Sequence, residues 1–130
     1  MSEPNAAVKE FFDGYEMANA ALDVERIAKL YADVFMFGDP RGTQSIKKED
    51  FVRVLPRRKE FFKSVGLVSS RLDSLEVSQL DSKYVLAKAV WKMRFESRTR
   101  EPVDSQNSAT YVLSAGGDSL HIVFQVDTRI

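Results

Sequence analysis

Residues 83–97, KYVLAKAVWKMRFES, constrain this chain more than any other stretch. The odd positions read Val85, Ala87, Ala89, Trp91, Met93 and Phe95; the even positions mix Leu86 and Val90 with Lys88, Lys92 and Arg94. A period of two over such a length specifies a long strand on a sheet that is covered on one side. Ala87 and Ala89 leave room above the strand, and Trp91, Met93 and Phe95 fill the space beyond. A face that runs from small to large residues either packs a solid core or lines a cavity.

At 130 residues the chain fits one domain, 1–130, which buries enough apolar surface to need no disulfide or metal staple. Cysteine is absent, which removes disulfides, thiol nucleophiles and cysteine zinc sites. A lone histidine, His121, excludes a multi-histidine metal centre within one chain, and no cofactor is implied. Nineteen basic and nineteen acidic residues balance to zero, which argues against nucleic acid as the main partner. No apolar run approaches bilayer length and the first residues, MSEPNAAVKE, are not a signal peptide, so a soluble cytoplasmic protein is expected.

Before residue 66 the pattern is mostly helical. Val8, Phe11, Phe12, Tyr15, Ala18 and Leu22 mark one face of a first helix, capped by Ser2 or Asn5, in which Gly14 would admit a close neighbour. Asp23 caps a second helix with Val24, Ile27, Leu30, Tyr31 and Val34 inward, and residues 34–37 make a short strand ended by the Gly38–Asp39–Pro40 turn. Ser45 is placed to cap a third helix that Pro56 splits and Gly66 ends. Strands follow to the end: residues 99–107 read as a polar connection, and Leu120, Ile122, Phe124 and Val126 as one face of the last strand. Helices first and an antiparallel meander afterwards define an α+β fold with the helices on one face of the sheet.

Two segments, LDVERIAKLYADVFMFGDPRGT at 22–43 and ATYVLSAGGDSLHIVFQ at 109–125, together with the order of elements, resemble the nuclear transport factor 2-like superfamily. It includes SnoaL-like and ketosteroid isomerase-like proteins. The resemblance implies a cone: a curved, mainly antiparallel sheet of the cystatin-like kind wrapped around N-terminal helices, with a pocket at its open end. Ketosteroid isomerases place a tyrosine on the first helix and an aspartate base in an Asp-Pro turn after the first strand, and Tyr15 and Asp39 match those places. Their third catalytic group, a protonated aspartate, would fall near Ala109, which has no hydrogen to donate.

The candidate site is therefore Asp39 as general base and Tyr15 as oxygen-polarising donor, in a pocket lined by Phe35, Phe37, Phe51, Leu55, Trp91, Met93, Phe95 and Tyr111. A desolvated Asp39 would have a raised pKa unless Arg41 folds over it. Three functions compete: binding of a small apolar or amphipathic ligand, proton-transfer chemistry of the isomerase, dehydratase or cyclase kind, and oligomeric association. The missing third group favours the first. Leu86, Val90, Val112 and Val123 on the outer sheet face point to a homodimer, with no nucleic acid or membrane as partner. The cluster Arg53, Arg57, Arg58, Lys59 and Lys63 reads as a solvated helix face.

Overall fold

In the computed structural model, which describes residues 3–21, 23–97, 100–116 and 119–129, the organising stretch forms strand β4 (Tyr84–Ser97). Around it lie α1 (Glu3–Ala21), α2 (Val24–Lys29), β1 (Tyr31–Asp39), β2 (Gly42–Lys47), α3 (Lys48–Ser64), β3 (Leu67–Gln79), β5 (Arg100–Gly116) and β6 (Ser119–Arg129). One curved, unclosed sheet has the order β2-β1-β6-β5-β4-β3. All neighbours are antiparallel except β1 and β6. The helices cover its inner face, as the α+β reading requires. No helix among the described residues is long and apolar enough to cross a membrane.

The alternation of β4 decides which side is which. Val85, Ala87, Ala89 and Trp91 are buried, Lys88 and Lys92 exposed, and the antiparallel register carries the same phase to Tyr111 and Leu113 on β5. On α1, Val8, Phe12 and Ala18 are buried, and the Phe12 ring meets Tyr111 with centroids 4.9 Å apart. A second cluster, Tyr31, Phe35 and Phe51, closes the other end under α2 and α3, with centroids 4.6–5.3 Å apart. Asp23 caps α2 as expected, its carboxylate accepting from the Arg26 N–H. Gly66 ends α3 at φ 82°, where a Cβ would strike the Glu96 carbonyl, so glycine is required there.

Several local expectations give way to tertiary structure. Residues 42–47 do not open a helix: they pair with β1, Ser45 against Met36, and α3 begins only at Lys48. The extended ladder satisfies more backbone groups than a Ser45 cap would. Pro56 does not split α3, because buried Phe51 and Leu55 anchor the turns before it and its ring lies on the exposed side. The helix expected through Val34 stops at Lys29, since Tyr31 joins the sheet opposite Ile122, and Val34 is left exposed. Asn5 lies inside α1 and does not cap it, nothing approaches Gly14 within 4 Å, and Ser2 and Leu22 fall outside the described residues. Residues 100–107 are not a loop but extend β5 along β4, with Arg94 bonded across to Asp104 at 3.2 Å.

The most consequential departure lies in β6. Val112 pairs with Phe124 but Leu113 pairs with Ile122, so Val123 is an extra residue in the ladder. Such a bulge reverses the phase of the strand beyond it. Ile122 faces the core as expected, but Phe124 and Val126 turn to the outer face, and Gln125 and Asp127 turn inward beside Tyr111 and Ala109.

Candidate functional site

Between α1, α3 and the inner sheet face lies a cleft of about 1080 Å³. Its existence follows from side-chain size. Leu75, Ala89, Ala109 and Asp127 form one row across β3, β4, β5 and β6, of which Ala109 and Asp127 line the cleft, and the Ala109 methyl leaves room above the sheet there. The next row toward the closed end runs Ala87, Tyr111, Gln125 and Phe37. Phe37, Trp91, Met93 and Tyr111 line this cleft, as do Tyr15 and Asp39. The other residues expected there lie elsewhere. Phe35 is buried in the closed-end cluster with Phe51 and Tyr31, Leu55 packs in the same core, and Phe95 pairs with Leu67 and Val103 outside the lining.

One wall is aromatic. Tyr15 stacks on Trp91 at 5.4 Å with the planes 30° apart, and stands edge-on to Tyr111 at 5.7 Å. Their polar tips form a line: the Trp91 indole N–H donates to the Tyr111 hydroxyl at 3.2 Å, which donates to the Tyr15 oxygen at 3.4 Å. Burial pushes the Tyr111 hydroxyl well above the usual tyrosine pKa, with Tyr15 adding to the effect, so it stays protonated. The Tyr31 hydroxyl, likewise raised by burial and then by Tyr15, donates to Gln125 Oε1 at 2.7 Å. Gln125, only 2% exposed, passes the line on by donating from Nε2 to Asp127 Oδ1 at 3.0 Å.

Asp39 is differently placed. Its side chain is 18% exposed and is gripped by Arg41. The Arg41 backbone N–H donates to Oδ1 at 2.8 Å, while Nη2 and Nε donate to Oδ2 at 2.8 and 3.3 Å. The Arg41 side chain and then its N–H hold this carboxyl below the usual range, so the raised pKa expected of a desolvated base is not found. The cleft also has lining that the sequence did not suggest. Arg58, Lys59 and Lys63 of α3, expected on a solvated face, border the cleft beside Phe61 and Phe62, and Asn107, Gln125 and Asp127 rise from the sheet. The helical residues were legible as an amphipathic edge; the two from β6 were hidden by the bulge.

A profile of the family described as "NTF2-like protein (DUF6841)" matches residues 2–128. The chain belongs to this family. Among solved structures, an NTF2-like protein with a cystatin-like fold from Novosphingobium aromaticivorans is similar at a TM-score of 0.80 and 9% identity, covering 98% of this chain and 82% of that one. A ketosteroid isomerase-like protein from Erwinia carotovora atroseptica matches at 0.74 and 13%, covering 100% and 98%. A putative scytalone dehydratase from Novosphingobium aromaticivorans matches at 0.78 and 9%, covering 100% and 89%. Identities this low carry the fold and not the chemistry. No curated protein matches the sequence. The NTF2-like assignment agrees with the resemblance seen in the two quoted segments.

Proposed function

We propose that this NTF2-like domain binds a small amphipathic ligand in the cleft, with a ring against the aromatic wall and polar groups toward the sheet and α3. The observation that carries the reading is the stacked Tyr15–Trp91 pair lining the same cleft as the small Ala109, an apolar slot whose few polar groups converge. Phe61, 60% exposed on the α3 side of the cleft, leaves a large apolar side chain at its margin. Trp91 is the only tryptophan, so its emission reports on this wall alone. Titration with the naphthalene dye 1-anilinonaphthalene-8-sulfonate should quench Trp91 saturably, and Tyr15→Ala should weaken the effect at least about fivefold. Absence of any change in Trp91 emission or melting temperature across a set of ring amphiphiles would refute the reading.

The enzymatic alternative assigns proton transfer to Asp39 and oxygen polarisation to Tyr15. The shared cleft supports it, and the Arg41 fork on Asp39 weighs against it. If a substrate is found, Asp39→Asn should cost at least about a hundredfold in rate under that alternative, and little under the binding reading.

For assembly, we propose a homodimer through the outer sheet face. The bulge supports it by aligning Met36, Phe124, Val112 and Leu86 in one apolar row across β1, β6, β5 and β4. Here Phe124 takes the place expected of Val123. A monomer by light scattering at micromolar concentration would rule it out.

A further inference from the structure

We infer that Asp127, and not Asp39, is the carboxylate through which the cleft holds its ligand, accepting a hydrogen bond from a hydroxyl on the ligand's ring. The inference rests on the ligand-binding reading and goes beyond it by naming the acceptor and the chemical class it selects.

Three observations lead to Asp127. The first is its place: it pairs with Ala109 across the ladder and lines the cleft with it, beside a residue that carries only a methyl group. The second is its orientation. The buried Tyr31 hydroxyl donates to Gln125 Oε1, with the amide nitrogen on the side away from that bond. The amide N–H is thereby aimed at Asp127 Oδ1; a reversed amide would set two oxygens against each other there. A buried amide spent on holding one carboxylate oxygen leaves the other, Oδ2, without a donor among the described residues. The third is comparison. Of the other two carboxylates lining the cleft, Asp39 has both oxygens occupied by Arg41, and Glu16 is tied by one oxygen to the Leu72 backbone N–H at 2.6 Å, where β3 is bulged, and not by a buried side-chain amide as Asp127 is.

A carboxyl acceptor beside an aromatic wall selects a ring that carries a donor, which is a phenol or an enol-type hydroxyl. Across the cleft, Arg58, Lys59 and Lys63 have no acidic partner within 4.0 Å among the described residues. An anionic substituent on the same ligand would meet them. The predicted class is therefore a hydroxylated aromatic or fused-ring anion.

The test compares 6-hydroxy-2-naphthoate with 6-methoxy-2-naphthoate, which differ in the donor alone, by calorimetry on the full chain. Wild type should prefer the hydroxy compound about tenfold or more, the worth of a charge-assisted hydrogen bond. In Asp127→Asn the Gln125 bond keeps Oδ1 and turns an N–H₂ donor to the cleft, so the preference should fall to within about twofold. In carbon-13 spectra of the wild type, the hydroxy probe should move the Asp127 carboxyl signal and leave that of Asp39 in place. This readout decides the matter even if the variant is poorly folded. Equal preference in wild type and Asp127→Asn, or a shift at Asp39 in place of Asp127, overturns the inference and leaves the cleft reading standing. Failure of both probes to bind overturns the two together.

Discussion

The two ends of the inner sheet face are built from the same kinds of residue and behave differently. At the closed end, Tyr31, Phe35 and Phe51 lock together, with Ile27 and Ile122 buried around them. At the open end, Tyr15, Trp91 and Tyr111 are as aromatic, yet they line the cleft together with the small Ala109. Aromatic content does not distinguish a core from a site here. The size of the residues opposite does.

That contrast can be broken most severely at the closed end. Phe35→Ala should cost about 3–5 kcal/mol, because its neighbours are packed on every side and cannot collapse into the hole. Met93→Ala, half-buried at the cleft, should cost less than about half of that. Urea unfolding of both variants checks the comparison, and equal losses would mean the two ends are packed alike.

Next in size is the polar line that joins them. Gln125→Leu should destabilise by about 1–3 kcal/mol, because it leaves the buried Tyr31 hydroxyl without its acceptor. Adding Tyr31→Phe should recover much of that loss, a coupling that a double-mutant cycle measures directly. Additive losses would show that the bond contributes nothing beyond packing.

A smaller effect concerns pH. Tyr31 and Tyr111 have raised pKa values in the folded protein, mainly from burial, so folding favours their neutral forms. The stability they contribute is fully present below the unfolded value of about 10 and is lost as pH rises through the folded one. Thermal melts above pH 10 should therefore fall steeply, and less so in Tyr111→Phe. Parallel slopes would indicate that lysine deprotonation accounts for the fall.

Smallest is the expected signature of Asp39. Its pKa is lowered, so the contribution of its pair with Arg41 is present above the ordinary carboxylate range and lost as pH falls through the depressed value. Carboxyl titration by NMR should place its midpoint below about 3.9, and Arg41→Ala should move it upward. A midpoint at or above that value in the wild type would restore Asp39 as a desolvated base.

Much of this could be read along the chain. The alternation of residues 85–95 settled the inner face of β4, because strand side chains reverse at every residue and a wholly apolar set can lie on one side only. The helix face of Val8 and Phe12, the Asp23 cap and the Gly66 stop were equally local, and each rests on backbone geometry within a few residues. Tyr15, Phe37, Asp39, Trp91, Met93 and Tyr111 are legible as site candidates in the sequence, and the structure brings them to the cleft. Other features needed the folded chain. Residues 42–47 and 100–107 carry too little pattern to announce strands; they are extended because a neighbouring strand offers its hydrogen bonds. Whether Phe35 lines a space or fills one depends on Phe51, sixteen positions away. The Val123 bulge is the clearest case: Leu120, Ile122, Phe124 and Val126 alternate without a flaw, yet pairing with β5 and β1 inserts one residue and turns Gln125 and Asp127 inward. A strand's own sequence sets its period, but its phase beyond a bulge is set by the partners that take up its backbone bonds.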